Sequence, residues 1–451
     1  MDRIINEIIE KLKGEMTVFF SEGKTDIETV EKYFGKRIAE AVLEVTKAYY
    51  EKRDLELLKD KPGRKEKGLV VERRGDKRQV LTTLGVLEYQ RSYYQKASGG
   101  YEYPIDTIAG VTAYERVSKV VGLELVEASC RMSYAKASKY VTGEQVSRQT
   151  VMNMIRFANA ASVPAERRTV PELHIDADED HVNLQNGKST IVPLISVYEG
   201  IDHQGKRGAC RNVFHISEYG KRPSELWEQV SEEVERRYDL TDTKIYIHGD
   251  GATWIQQGVE YFPHCQFVLD RYHKNKAIKQ AVGGIVRGSG CQYEYQIRKA
   301  LVEENLERLF AIKQTLLERY PEREKTIREN MDYLLRNYDS IIIANHDPSA
   351  RNGGCTEPHV SHVLSERLSS RPMGWSKETL KHFVPILAVG KATFESTTSQ
   401  EKTVLPLREI LRQPEKHYKP HTLGYADPDH TVSFPARRNK VTPLFNALRP
   451  F

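Results

Sequence analysis

Cysteine is scarce in this chain, and its few cysteines follow no pattern that binds metal or builds a disulfide framework. No two of the five form a Cys-x-x-Cys pair; they are Cys130, Cys210, Cys265, Cys291 and Cys355. An odd and scattered set argues against a disulfide-stabilised fold and against a structural zinc site. The sequence therefore predicts a protein of a reducing compartment, which we expect to be the cytoplasm.

Long apolar runs are missing as well. The run at residues 191–197 is too short to cross a bilayer, and Asp2, Glu7 and Glu10 interrupt the N-terminal region where a signal peptide would be apolar. A chain of 451 residues with 39% hydrophobic residues is long enough for two to four domains with buried cores. Its net charge of +5 is compatible with a nucleic-acid partner but does not establish one.

The first 110 residues divide into a helical region and a hairpin. Apolar residues at helical spacing predict helices over residues 1–60, and the Pro-Gly-Arg-Lys sequence at 62–65 predicts a linker within 61–78. Residues 80–83 and 86–94 predict the strands of a β-hairpin. Its Arg91, Tyr93 and Tyr94 suit either a ribbon along nucleic acid or an ordinary half-buried hairpin.

The region 111–165 predicts helices, including a helix-turn-helix. Residues 133–140 form a short helix, 141–146 a turn, and Ser147 is a good N-cap for a second helix. The first turn of that helix carries Arg148, Gln149 and Thr150, the positions that reach base edges in a helix-turn-helix. Many helical hairpins share this pattern, so an ordinary hairpin remains the alternative. Residues 160–171 predict a linker.

A stretch of alternating acids opens the next region. Residues 174–182 predict a strand, and because side chains on a strand alternate between faces, Asp176, Asp178 and Asp180 project on one side. Three like charges on one face repel unless a cation lies among them or water screens them. The stretch therefore predicts either a divalent metal site or a solvated acidic edge.

The pattern that follows is typical of an α/β domain with a mixed sheet: three strands, a helix, a strand, a helix, a strand and a helix. Asp250 follows the strand at 244–248 between two glycines, at the strand end where such sheets bind ligands, although Gly-Asp-Gly is also a common turn. Asp270 and His273 lie three residues apart at the start of a helix. Both can face a cleft, or serve as an N-cap and a surface histidine.

The remaining residues predict an all-helical insertion at 291–345 and then a helix in which Thr356 is the cap and Glu357 lies in the first turn. An acid in the first turn also suits the helix dipole without any other role. Arg367 and Arg371, near the end of that helix, either bind phosphates or are simply solvated. Residues 413–451 predict an irregular tail.

The order of these parts resembles the DDE transposases of bacterial insertion sequences. Within them the chain is most similar to the Lre-two insertion-sequence family, long filed as an uncharacterised protein family and related to Mutator-like transposases. The resemblance covers nearly the whole chain and depends most on residues 176–182, Asp-Ala-Asp-Glu-Asp-His-Val, and on the longer phrase 360–376. It implies a catalytic core with the RNase H-like (retroviral integrase) fold, in two parts at 172–290 and 346–412.

The resemblance further implies a triad of Asp178, Asp250 and Glu357 that holds two Mg²⁺ or Mn²⁺ ions. Asp176 and Asp180 remain alternatives for the first acid, because spacing does not choose among them. Asp270 and His273 match an accessory Cys/Asp-x-x-His element, here with Asp in the first position. Two metals stabilise the attacking and leaving oxygens at phosphorus, while first water and then a 3′-OH is the nucleophile.

This interpretation predicts double-stranded DNA as the partner, bound through Arg148, Gln149, Thr150, Arg367 and Arg371. We expect a homodimer or larger assembly when two transposon ends are paired, in the bacterial cytoplasm and on the nucleoid, without a membrane partner. Two alternatives are a DNA-binding regulator with an inactive transposase-like domain, and a nuclease of the same fold that cuts without joining.

Overall fold

A computed structural model describes residues 2–23, 26–204, 207–285, 287–351 and 353–394 of the chain. The tail predicted at 413–451 lies outside these residues. Within the described ranges, no helix combines the length and the apolar character needed to cross a membrane.

The N-terminal part is a helical hairpin packed on a small antiparallel sheet. Its elements are α1 Asp2–Ser21, α2 Ile27–Lys59, α3 Lys61–Glu66, β1 Leu69–Thr82, β2 Gly85–Lys96, β3 Tyr101–Glu102 and α4 Pro104–Ile108. The rings of Phe19 and Phe34 join α1 to α2 at a centroid distance of 4.9 Å. Leu87 and Tyr89 of β2 pack with side chains of α2, so the sheet buries one face on this helix.

The linker predicted at 61–78 is wrong. The side chain of Asp60 accepts a hydrogen bond from the backbone N–H of Gly63 and caps α3, and most of the charged residues after it belong to the outer strand β1. The hairpin is of the half-buried kind: Arg91 is buried in an ion pair with Asp106, and Tyr94 is fully buried. Neither side chain is placed to follow a nucleic-acid backbone.

The helix-turn-helix has the predicted local geometry. The three helices are α5 Lys119–Ser129, α6 Tyr134–Thr142 and α7 Arg148–Phe157. Gly143 ends α6 in the left-handed region at φ +60°, a conformation that glycine adopts without strain. The Ser147 side chain then accepts a hydrogen bond from the backbone N–H of Thr150, which caps α7.

A mixed five-stranded sheet forms the centre of the second half. The strands and α-helices between residues 159 and 269 are β4 Asn159–Ala160, β5 Arg168–Thr169, β6 Glu172–Asn183, β7 Ser189–Tyr198, β8 Ile201–Gln204, β9 Arg207–Cys210, β10 Phe214–Ile216, α8 Pro223–Arg237, β11 Tyr238–Asp239, β12 Lys244–Gly249, α9 Thr253–Gln256 and β13 Cys265–Leu269. The sheet order is β10-β7-β6-β12-β13. The pairs β10–β7 and β7–β6 are antiparallel, whereas β12 runs parallel to both β6 and β13.

Helices fill the segment between β13 and the Glu357 region. They are α10 Arg271–Val282, α11 Arg287–Val302, α12 Leu306–Arg319, α13 Glu324–Arg336 and α14 Tyr338–His346. They share a core of their own, which includes Ile297, Leu309 and Met331. The chain then continues through α15 Thr356–Val360, a π-helical turn Ser361–Ser365, α16 Glu366–Leu368, α17 Lys377–Val389 and β14 Ala392–Thr393.

The helix-turn-helix and the sheet are joined in one hydrophobic core. Val151 and Ile155 of α7 belong to the same buried cluster as Val182 of β6, Leu194 of β7 and Phe383 of α17. At its C-terminal end α7 is also tied to α17, because the Arg156 guanidinium donates hydrogen bonds to the hydroxyls of Ser376 and Thr379. The helix-turn-helix is therefore packed on the sheet and is not a module on a linker.

Arg367 is part of this core. Its side chain is 6% exposed, and its Nε donates a hydrogen bond of 2.6 Å to the carbonyl oxygen of Ser129 at the end of α5. The guanidinium lies 4.7 Å from the centre of the Trp375 ring and 5.4 Å from that of Phe383. It is thus not placed to contact DNA phosphate, in contrast to the expectation from sequence; Arg371, four residues later, is exposed.

We expect Arg367→Ala to lower the free energy of unfolding by about 2–4 kcal/mol, because it leaves a cavity among the rings and an unpaired buried carbonyl. Arg371→Ala removes the same charge from the surface and should change stability by less than about 0.5 kcal/mol. Urea denaturation of both variants measures the difference. Equal stability of the two variants would contradict a structural role for Arg367.

Candidate active site

Three acids come together where the parallel pairing of β6, β12 and β13 ends: Asp178 lies within β6, whereas Asp250 and Asp270 directly follow β12 and β13. In the strand register His248 of β12 lies beside Asp176 of β6, so Asp250 and Asp178, each two residues further on, are level with each other. Gly249 lies beside Leu269 of β13, which places Asp270 next to Asp250. Neighbouring strands are about 4.7–4.9 Å apart, and this end of an open sheet is where α/β proteins bind ligands.

The pKa of Asp178 depends on its burial and on the charges around it. The pKa of its carboxyl is raised to about 6, mainly by burial and in smaller part by the charges of Asp250 and Glu357. A hydrogen bond from the Glu179 backbone N–H and the charge of His273 act in the opposite direction. The three acids of the predicted triad therefore lie close enough for their charges to repel, although more than 70 residues separate each from the next along the chain.

The two glycines that flank Asp250 occupy backbone positions where a larger residue would not fit or would be strained. A Cβ at Gly249 would lie 2.9 Å from the carbonyl oxygen of Ala177, and Gly251 has a φ of +87° beside Asn337. The Asp250 carboxylate accepts a hydrogen bond of 2.8 Å from the Ala252 backbone N–H, and the Tyr333 hydroxyl donates to the Asp250 carbonyl. Helix α13 of the insertion thus fixes the backbone of this acid.

The predicted accessory pair also lies in the site. Asp270 is buried and caps α10 by accepting hydrogen bonds from the backbone N–H groups of Tyr272 and His273, and its carboxylate lies 3.2 Å from Nδ1 of His273. Burial lowers the pKa of His273, but the hydrogen bond and charge of Asp270, together with the charges of Asp178 and Asp250, outweigh it and raise the pKa overall. The imidazole therefore faces the acids.

Asp176, the alternative first acid, is used within the fold. It is 1% exposed, and its carboxylate accepts hydrogen bonds from the Tyr198 hydroxyl at 3.0 Å and from the backbone N–H groups of Gly354 at 3.2 Å and Cys355 at 2.8 Å. Nδ1 of His359 lies 3.3 Å from the same carboxylate. Asp176 thus joins β6 to the loop that leads into Glu357. Asp180 is buried too and accepts a hydrogen bond from the Ser369 hydroxyl.

Glu357 lies exposed in the first turn of α15. The expected Thr356 cap is wrong: Cys355 is the N-cap residue and makes no side-chain cap hydrogen bond, while Thr356 is buried inside the first turn. A π-helical turn follows at Ser361–Ser365, a feature that is frequent at functional sites. The sequence did not point to Tyr198, Cys355 or His359, because only contacts across the fold bring them to Asp176.

The donor chemistry of Asp178, Asp250 and Glu357 fits a hard divalent cation. Carboxylate oxygens are the ligands that Mg²⁺ and Mn²⁺ prefer, and a cation among the acids would relieve the repulsion that adds to burial in raising the pKa of Asp178. In the described residues, however, no three His, Cys, Asp or Glu side chains are arranged as a group that could hold a metal ion. The charges of Asp250 and Glu357 act on Asp178, but the three described side chains are not arranged as a complete set of metal ligands.

Of the predicted DNA-binding residues of α7, Thr150 lines a groove. Arg148 and Gln149 are exposed, whereas Thr150 is half-buried with its hydroxyl 3.0 Å from that of Ser147. The groove has a volume of about 1190 Å³ and runs between α7 and residues 112–119. Phe157 at the far end of the helix is also exposed, so the open face of α7 carries both polar side chains and an aromatic ring.

Comparison with known proteins places the chain in a family. The model of an uncharacterised protein family, UPF0236, matches residues 20–402. The chain belongs to the UPF0236 family. Two similar members come from Caldanaerobacter subterraneus subsp. tengcongensis. One is 38% identical over 72% of this chain and 69% of its own length. The other is 35% identical over 84% of this chain and 79% of its own, and its name joins eleven locus numbers.

The comparisons thus confirm one part of the resemblance inferred from the sequence, namely that the chain belongs to a family described as uncharacterised. The descriptions of these UPF0236 relatives state no activity. The predicted transposase chemistry, metal ions and DNA partner are therefore matters for a proposal about this UPF0236 protein.

The raised pKa of Asp178 gives a pH-dependent test of the acid cluster. Because the pKa is about 6 in the folded protein against an ordinary value of 3.8, folding loses stability as pH rises through this interval, and the whole penalty is present above it. With metal chelated, Asp178→Asn should raise the free energy of unfolding at pH 8 by about 1–3 kcal/mol. The gain should disappear near pH 4. Denaturant titrations at both pH values measure it.

Asp176→Asn is the matched control for this variant. An amide nitrogen cannot accept the hydrogen bonds that the carboxylate receives, so this variant should lose about 1–3 kcal/mol at both pH values. A destabilised Asp178→Asn protein at pH 8 would contradict the raised pKa of Asp178, whose causes are burial and the charges of Asp250 and Glu357.

Proposed function

We propose that this UPF0236 protein is a DDE-type DNA transposase of an insertion sequence, which cuts transposon ends and joins the freed 3′-OH to target DNA. One observation carries the proposal: Asp250 and Glu357, from two distant segments, lie close enough to Asp178 for their charges to act on its carboxyl, where ligands bind in such sheets. A fold gains nothing in stability from three mutually repelling carboxylates. Such a cluster is typical of a site that binds cations.

The arrangement of elements supports the same conclusion. A mixed sheet carries the first two acids, a helical insertion follows its last strand, and the third acid opens a helix beyond the insertion. This layout agrees with the RNase H-like core that the resemblance to DDE transposases implies. The insertion also contacts the site, because the Tyr333 hydroxyl of α13 donates to the Asp250 carbonyl.

The names of the relatives add an independent line of support. One name joins eleven locus numbers of a single organism, and another joins four. A protein encoded at many positions of one genome is what repeated insertion of a mobile element would leave. A gene for a regulator or a housekeeping nuclease is not expected at so many positions of one genome.

In this proposal each acid has a stated task. Asp178, Asp250 and Glu357 hold Mg²⁺ or Mn²⁺, and the bound metal supplies positive charge to the attacking and leaving oxygens at phosphorus. His273 places positive charge beside Asp178 and Asp250, and Asp270 orients its ring through Nδ1. Asp176 is a positioning residue, because it holds the loop that leads into Glu357.

The helix-turn-helix supplies the recognition of DNA ends. Arg148 and Gln149 project from the first turn of α7, where such helices contact base edges in the major groove. Because α7 shares a core with β6 and α17, the recognition helix and the acids belong to one packed unit. A DNA end held by α7 is then presented at a fixed geometry to the acids.

A cleavage and strand-transfer assay tests the proposal. With Mg²⁺ and DNA that carries the sequences flanking this gene, the wild-type protein should release ends and join them to a target. Asp178→Asn, Asp250→Asn and Glu357→Gln should each lower both yields by at least about a hundredfold, because a metal contributes several kcal/mol at phosphorus. Glu260→Gln, which neutralises an exposed acid elsewhere, should leave both yields unchanged.

Other results of this assay would identify one of the two alternative functions. Specific binding of the flanking DNA without cleavage would identify a DNA-binding regulator, and cleavage without joining would identify a nuclease. Mn²⁺ should also raise the thermal unfolding temperature of the wild type and not that of Asp250→Asn. This readout separates loss of metal from loss of DNA binding.

The recognition helix has its own test. If Arg148 contacts a base, Arg148→Ala should weaken binding to the element's ends by about 1–3 kcal/mol and reduce discrimination against scrambled DNA. Lys136→Ala removes an exposed charge from the preceding helix and should weaken both DNAs only slightly. Fluorescence anisotropy with the two DNAs compares the variants. Equal losses for Arg148→Ala and Lys136→Ala would contradict base contact by α7.

A further inference from the structure

A second cavity lies behind the loop that leads into Glu357. It has a volume of about 490 Å³ and is lined by the first turns of α10, by α11 and α14, and by Ala350, Arg351, Gly353 and Gly354. Sites for small molecules in proteins are about 300–1,000 Å³ in size. The cavity borders Gly354, whose backbone N–H is bound by Asp176, so it adjoins the acid site without containing Asp178, Asp250 or Glu357.

Four basic side chains line this cavity: Arg271, Lys274, Arg298 and Arg351. Arg298 forms an ion pair of 2.8 Å with Glu294, and Nε of Arg351 donates to the Ala344 carbonyl. For Arg271 and Lys274 the described part of the chain provides no ion pair within 4.0 Å. The nearby acid, Asp270, already accepts hydrogen bonds from the start of α10 and lies beside His273.

The cations are close enough to repel one another. Burial lowers the pKa of Lys274, and the charges of Arg271, Arg298 and Arg351 lower it further, while Asp270 acts in the opposite direction. A desolvated ammonium group without a partner costs free energy. A bound anion would remove this cost.

The rest of the cavity wall is apolar. Ile278 of α10, Leu301 of α11 and Ile341 of α14 face the same space. A ligand that matches both walls has an anionic group and a less polar body. A nucleotide has this character, because its phosphate suits the cations and its sugar or base suits the aliphatic side chains.

We propose that this cavity binds the phosphate group of a nucleotide, held by Lys274 and Arg271. Where the proposed transposase function holds, the phosphate belongs to a DNA strand whose neighbouring linkage lies at the acids. A free nucleotide or inorganic phosphate carries the same anionic group and could bind in the same way. The experiment below separates these sources.

The test uses the full-length protein in EDTA, so that no cleavage is required. The ligands are inorganic phosphate, thymidine monophosphate, and a short single-stranded oligonucleotide with either a 5′-phosphate or a 5′-hydroxyl. Lys274→Met removes the ammonium group, and Lys279→Met is the control, because Lys279 lies exposed on the same helix and does not line the cavity. Thermal unfolding and fluorescence anisotropy are the measurements.

We expect Lys274→Met to weaken phosphate-dependent binding by about tenfold or more, which corresponds to the loss of one hydrogen bond to a charged group. Lys279→Met should change it by less than about twofold. Without ligand, Lys274→Met should unfold at the same temperature as the wild type or higher, because a repelled charge has been removed. A purely structural lysine would instead lower this temperature. Arg271→Gln, at an exposed position, provides a second variant with the same expected loss.

Each outcome decides between the possibilities. A loss seen with either oligonucleotide supports a DNA-strand phosphate, whereas a loss confined to phosphate and thymidine monophosphate supports a phosphate site for free ligands. Binding of every ligand to Lys274→Met and Arg271→Gln as tightly as to Lys279→Met would overturn the proposal. A protein that fails to join DNA but shows Lys274-dependent phosphate binding would refute the transposase function and leave the phosphate site standing.

Discussion

The buried carboxylate of Asp176 holds the two distant halves of the candidate active site together. It lies on the central strand β6 and binds the backbone N–H groups of Gly354 and Cys355, which come 178 and 179 residues later in the chain. Gly353 approaches so closely that a Cβ there would lie 2.1 Å from Nε2 of His248. Because these contacts fix the loop against the sheet, the first turn of α15 starts beside the strand ends, and Glu357 comes within electrostatic range of Asp178.

This anchor explains why three repelling acids remain close. The burial of Asp178 and, in smaller part, the nearby charges of Asp250 and Glu357 raise its pKa, so both oppose folding when the carboxyl is ionised. Hydrogen bonds to a buried, charged acceptor stabilise by about 1.5–3 kcal/mol each, and Asp176 accepts three of them. The favourable interactions of one acid thus offset the unfavourable interactions of its neighbour two residues away. The alternation of a strand puts both acids on the face that meets α15.

The sequence predicted much of this architecture, and its failures have a common cause. Local patterns were enough for the helix Pro223–Arg237, for the acidic strand and for the Ser147 cap of α7. The sequence did not reveal that Arg367 is buried among Trp375 and Phe383, nor that charged residues near 70 form a strand. Packing between distant segments decides both, and a charged side chain carries no local sign that aromatic rings will surround it. The same holds for Asp176, whose partners are remote in sequence.

The start of α10 connects the acids with the basic cavity. Asp270 caps this helix, His273 in its first turn lies close to Asp178 and Asp250, and Lys274, the next residue, lines the cavity. Adjacent positions on a helix point about 100° apart, so one turn can present a group to each of two neighbouring sites. Repulsion among the acids is relieved by a cation, and repulsion around Lys274 by an anion. A nucleic-acid strand with its bound divalent ions carries both charges, and it would therefore stabilise the two sites together more than either ion alone.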